Sequence, residues 1–174
     1  MHRAGLVQYR RSRLTSNVRP HTKPHAAMPP IDRNPALIEK IRADPNSYLG
    51  PGRTTDFRDI APELVSDALY LGAKDASVHR HGAWTIAAST TDWILKGSRW
   101  PLEEAFFRIE FIHSYRQNAS RATVLVPCFA EDVVTYASGE PTVIQGNPGH
   151  CLELTSLIQQ LFPIHRVVAF QRPR

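Results

Sequence analysis

Cysteine is scarce in this chain: Cys128 and Cys151 are the only two in 174 residues. Two thiols cannot frame a protein of this length as a disulfide scaffold. They fall in different predicted elements, so reduced thiols in a cytoplasmic setting are expected. Long apolar runs are missing as well. No stretch reaches the roughly 18 residues that a membrane-spanning helix needs, so a soluble protein without a membrane partner is expected. Glycine is sparse beside proline, 9 against 14, which favours rigid turns and loop-rich connections. The familiar chemical signatures are also absent. There is no glycine-rich phosphate loop, no Gly-x-Ser-x-Gly, no His-Glu-x-x-His and no Cys-x-x-Cys. Their absence argues against P-loop nucleotide hydrolysis, dinucleotide redox chemistry on a standard fingerprint and zinc-finger modules. No cofactor is expected. Neither an internal repeat nor a heptad pattern is visible.

Acidic residues are missing from one part of the chain. Residues 1–31 carry six of the 21 basic residues and none of the 16 acidic ones, which leaves 15 bases against 16 acids from Asp32 onward. The basic isoelectric point therefore belongs to the leader, and the rest has no global field to attract nucleic acid or an anionic membrane. With Pro20, Pro24, Pro29 and Pro30 and few large apolar residues, the 1–31 segment reads as a disordered leader. A transit peptide or a phosphate-binding arm is the alternative, so nucleic acid enters only through this leader. Residues 32–174 are expected to form one globular domain. A hydrophobic fraction of 42% supplies its core.

Asn34 and Pro35 mark a helix start ahead of Leu37, Ile38 and Ile41, and Asp44-Pro45-Asn46 stops it. Gly50-Pro51-Gly52 reads as a turn. Pro62 is placed at the first turn of a second helix, Pro62–Leu71, ended by Gly72. Ala83–Ala88 and Asp92–Leu95 read as strands. The segment 101–115 is ambiguous, with helical spacing at its start and alternation over Phe107, Ile109 and Phe111. Residues 117–120 read as a loop. Thr123–Phe129 reads as a strand that Pro127 pushes toward an edge. Short strands are predicted at Val133–Tyr136 and Thr142–Ile144 around a Ser138-Gly139 turn, then a helix over Gly149–Leu161, then a strand over His165–Phe170. The fold class is α+β: a short, mostly antiparallel sheet packed with three or four helices, which are expected on one face.

The stretch with the most chemical content is Gly146-Asn147-Pro148-Gly149-His150-Cys151. It is a tight turn that opens a helix and places a cysteine near the helix N-terminus, where the dipole favours a thiolate. A cysteine nucleophile also needs a base and oxyanion donors. His150, its immediate neighbour, points elsewhere on a helix and makes a poor base. His165 and His81 are the candidates, with helix-start amides as donors. The simpler account is that Cys151 packs in the core. His79 and His81 would share a face of a strand, as two metal ligands can. No spacing supplies further ligands, so an exposed polar turn is the plainer account and no metal is expected. Cys128, beside Glu131 and Asp132, reads as structural, since carboxylates raise a thiol pKa. Trp84 and Trp93 read as core residues of the sheet. Trp100 with Arg99 is a candidate surface anchor for a partner. Two functions follow. The first is a soluble α+β protein that binds an unknown protein or small-molecule partner without catalysis. The alternative is a cysteine-dependent hydrolase or transferase built on Cys151.

Overall fold

Asn34 accepts a hydrogen bond from the Leu37 N–H at 3.3 Å and so caps helix α1, Pro35–Ala43, with Pro35 at its first turn. The helix buries Ile41, and the Arg42 guanidinium donates to the Cys128 carbonyl at 2.5 Å. The computed structural model describes residues 33–44, 57–113, 118–138, 140–160 and 164–172, all within the unit Ile31–Arg174. The 1–31 leader and the Gly50-Pro51-Gly52 turn lie outside the described residues.

Helix α2 spans Phe57–Tyr70, so it begins a turn and a half earlier than Pro62 predicts, with Pro62 inside it. Pro62, the sixth residue of the helix, cannot donate to the Arg58 carbonyl and its ring crowds that oxygen, a cost that the buried face of the helix offsets. Ile60, Ala61, Leu64 and Ala68 form its buried stripe. Gly72, at φ 87°, follows the helix in the left-handed conformation expected of a C-terminal glycine.

Five strands follow: β1 Ala76–His81, β2 Trp84–Ser89, β5 Asp132–Ala137, β6 Glu140–Gln145 and β7 Arg166–Gln171. They form one sheet in the order β1-β2-β7-β5-β6, antiparallel at every junction. A separate two-stranded ribbon pairs β3, Phe111–His113, with β4, Asn118–Ser120. Asn118–Ser120 is thus a strand and not the expected loop. Ahead of β3, the helical reading of 101–115 shrinks to one 3₁₀ turn, Glu104–Phe106.

Two further expectations fail. Asp92–Leu95 is a turn, not a strand, because Asp92 is drawn to Arg166 and accepts the Leu95 N–H. Trp93 is therefore buried from a loop and not from the sheet. Thr123–Phe129 is helical, a 3₁₀ turn at Ala122–Val124 running into α3, Leu125–Phe129. Its residues from Ala122 to Cys128 are all buried, and a short apolar run buried all round carries no period to separate strand from helix.

Helices cover both faces of the sheet, not one. Alternation puts Ala87, Val133, Val168 and Phe170 on the face that packs with α1, α2 and α3. Trp84, Ile86, Val134, Tyr136, Val167 and Ala169 face the other way, onto Leu154 and Ile158 of helix α4, Cys151–Gln160. β2 and β7 are accordingly buried at every position and apolar at four of six, with their polar residues Ser89, Arg166 and Gln171 at the strand ends and Thr85 within β2. Among the described residues no helix is long and apolar enough to cross a membrane.

Candidate functional site

Strand register sorts the candidate residues between the two ends of the sheet. At one end, His81, Trp84, Gln171 and Asp132 form a single cross-strand row and share the α4 face. The turn 146–150 brings the start of α4 onto that row. Gly146 adopts φ 94°, and a Cβ there would stand 1.9 Å from Oδ1 of Asp132, so only glycine fits. The Asn147 N–H then donates to Asp132 Oδ1 at 2.8 Å. Nδ1 of His150 lies 2.8 Å from Asp132 Oδ2, and the Gln171 amide donates to the same oxygen.

Burial pushes the Asp132 carboxyl up. The hydrogen bonds from Asn147, Gln171 and His150, with the His150 charge, outweigh it and hold the group below its ordinary value. An ionised carboxylate only accepts, so Nδ1 of His150 carries a proton in this contact and a neutral ring offers Nε2 as its basic atom. The Asp132 side chain is 3% exposed and that of His150 is 32% exposed. The arrangement is a buried carboxylate bracing a half-exposed imidazole directly ahead of Cys151.

The residues expected to serve Cys151 stand elsewhere. His165 precedes β7 at the opposite end, about 20 Å away along the strand. Its N–H donates to the Ser89 carbonyl and its Nδ1 lies 3.1 Å from Ser138 Oγ. His81 shares the row with Asp132, but β2 and β7 separate their strands, a gap of about 14 Å. His79 Nε2 is 2.8 Å from Ser77 Oγ on the same strand. Among the described residues no cluster of three metal-binding side chains occurs.

Cys128 is buried and its thiol donates to the Val124 carbonyl at 3.1 Å. Burial pushes it up to about 12, against the pull of Arg42, so burial and not the neighbouring carboxylates is the main cause. Trp100 is half-buried against the helix-side core. The Arg108 and Arg99 guanidiniums lie 5.2 Å and 5.9 Å from its ring centroid. The Arg99 N–H is fixed by Glu110 at 3.1 Å.

At the His81 end the sheet also opens into a cleft of about 440 Å³, lined by Phe57, Arg58, Arg80, Gly82, Ala83, Trp84, Thr85 and Arg172. Its arginines come from the first turn of α2, the edge strand β1 and the residue just past β7. Gly82, at φ 56°, and Ala83 make the two-residue turn that joins β1 to β2. Phe57 packs edge-on against Phe170 at 5.2 Å, and the Arg172 guanidinium lies 4.8 Å from the Phe57 ring centroid. Arg58 and Arg172 also hold interactions of their own. No carboxylate lines the cleft among the described residues.

Neither the arginine cluster nor the Asp132–His150 pair is visible as a motif. The arginines are far apart in the chain and meet only because β7 lies beside β2. Helical geometry argues against His150 as a base for Cys151, yet it sits in the 3₁₀ turn Pro148–His150 ahead of the helix. The clue was Gly146-Asn147, a turn sharp enough to fold back on the start of β5. No protein-family model, no curated protein and no solved structure matches this chain, so the reading of the site rests on its own geometry.

Proposed function

We propose that the protein binds an anionic ligand in the arginine cleft, without catalysis, as a soluble cytoplasmic protein. The observation that carries this reading is the convergence of Arg58, Arg80 and Arg172 on one concave surface, with no carboxylate among the described residues that line it. Arg80 stands exposed on the edge strand of this surface, and an anion placed there gains the attraction of its charge. Guanidinium also presents flat, forked donors suited to oxyanions. Melting curves in chloride and in sulfate at matched ionic strength test this. Sulfate should raise Tm of the full chain and lose that effect in Arg80→Ala. An equal response of the two proteins would defeat the reading.

A second reading is favoured by the Asp132–His150 pair standing immediately ahead of Cys151. In it Cys151 is the nucleophile of a hydrolase or transferase, and His150, braced by Asp132, is the base in place of His165 or His81. Native Cys151 should then alkylate quickly at pH 6, and His150→Ala should slow it. Reaction only after unfolding would end this reading.

A further inference from the structure

Independently of the anion-binding reading, we infer that strand β1 is a homodimer interface, where β1 of a second copy pairs antiparallel across a two-fold axis. The phase of the β1–β2 hairpin decides which backbone groups are free. Its two-residue turn closes on the pair His81–Trp84, and such a closing pair exchanges both backbone hydrogen bonds. Bonded pairs then alternate along the strand, so His79 and Ser77 also turn their N–H and C=O toward β2. Asp75 agrees with this phase, because its carbonyl accepts the Thr90 N–H. Ala76, Val78 and Arg80 therefore turn theirs outward. Among the described residues no second strand pairs with β1 on that side.

Proteins blunt free edges with devices such as proline and bulges. The opposite edge, β6, carries both signs: Pro141 lacks a donor, and the pairing with β5 shifts register between Val133 and Val134. Strand β1 has no proline and keeps unbroken register along its length. Its Val78 is 41% exposed. Leu69, also exposed, lines a hollow with Lys74, Asp75, Ala76 and Ser77 at the start of the strand. Pairing of β1 with β6 would build an open filament, which the blunted edge disfavours, whereas pairing of β1 with β1 closes after two copies.

One register suits the outward groups. Centred on Val78, it sets Val78 against its own copy and Ala76 against Arg80 of the second copy. Each of these pairs then exchanges both backbone hydrogen bonds. On the other face Ser77 meets His79 of the second copy, and Asp75 meets His81 of the second copy. Asp75 and His81 are exposed in the single chain. Their pairing sets a carboxylate acceptor against an imidazole donor, twice by symmetry. Centring on Arg80 would set two guanidiniums opposite each other, and centring on Ser77 would set Lys74 against Arg80. Centring on His79 would draw the left-handed Gly82 of the turn into the ladder.

Sedimentation velocity of the full chain tests the association. A dimer of twice the 19.6 kDa chain mass is expected. Val78→Lys should leave only monomer at the same concentration, with circular dichroism unchanged, because it puts a charge on the exposed edge and against its own copy. Introduced cysteines test the register. Val78→Cys should give a 78–78 cross-link on mild oxidation, read by peptide mass, since the paired Cα atoms would lie about 5.5 Å apart. Arg80→Cys should give no 80–80 cross-link, since the two positions would lie about 14 Å apart along the strands. A full chain that stays monomeric up to its solubility limit overturns the inference. A dimer that Val78→Lys leaves intact overturns it as well, because the contact then lies on another surface or on the 1–31 leader. A dimer in which 80–80 replaces the 78–78 cross-link, or in which neither forms, overturns the pairing centred on Val78.

Discussion

Strand β7 carries an arginine at its first position and another just past its last, and the two are treated in opposite ways. Arg166 is 2% exposed at its side chain and is paired with Asp92. Its Nε donates to Asp92 Oδ1 at 2.9 Å and its Nη1 to Thr135 Oγ1 at 3.3 Å. Arg172 is exposed on an open cleft that it lines with Arg58 and Arg80, its guanidinium 4.8 Å from the Phe57 ring centroid and holding a further interaction of its own. The difference follows from solvation. A charge taken out of water needs a counter-charge supplied by the fold, or it costs several kcal/mol. A charge on an open rim keeps its water, so the fold can leave it facing outward. Arg121 repeats the closed case. It pairs with Glu110 at 3.0 Å and holds the Trp93, Ile94 and Lys96 carbonyls at 2.8–3.0 Å.

The comparison breaks first at the closed end. Arg166→Met should lower unfolding free energy by about 3 kcal/mol, since it strands Asp92 without its partner. Urea denaturation measures it, and a loss below about 1 kcal/mol would mean that water already screens the pair. At the open end the largest effect belongs to the turn and not to a charge. Gly146→Ala should cost about 2–3 kcal/mol, because its Cβ overlaps Asp132 and its backbone is left-handed.

The carboxylates make a smaller, pH-dependent contribution at both ends. Burial pushes Asp92 up, but hydrogen bonds from Arg166 and Leu95 and the Arg166 and His165 charges outweigh it, so Asp92, like Asp132, is held below its ordinary value. An unfolded aspartate titrates near pH ~3.9, so below that the unfolded chain binds more protons than the folded one. The stabilisation is therefore complete above about pH 5 and is lost as pH falls through the folded values. Asp92→Asn and Asp132→Asn should each flatten acid unfolding below about pH 4. A slope unchanged in both would show that other groups set the acid limit.

The smallest effect on stability belongs to the cleft. Arg80→Ala should shift it by no more than about 0.5 kcal/mol, as expected of an exposed side chain. A substantially larger loss would make Arg80 a structural residue like Arg166.

How much of this was legible varies with the signal available. Helix α1 was readable because Asn34 and Pro35 act locally, and β5, β6 and β7 because their apolar runs sit between turn residues. Thr123–Phe129 was not, since an apolar run buried from Thr123 to Cys128 satisfies a helix or a strand equally. Asp92–Leu95 misled because its conformation is imposed by Arg166, 74 residues away. The same holds for the candidate site. Cys151 stood out by its place at a helix start, while Arg58, Arg80 and Arg172 are unremarkable surface residues until β7 settles between β2 and β5.

That position of β7 has a consequence for synthesis. The chain emerges in order, so the β1–β2 and β5–β6 hairpins exist before the strand that joins them. Until β7 arrives, β2 and β5 each present an unpaired edge of apolar, β-prone residues, the kind of surface that pairs with other chains. The nascent protein is therefore most exposed to aggregation in the interval between completing β6 and inserting β7. Helix α4 is made during that interval and can shield one face, but nothing except β7 closes the gap.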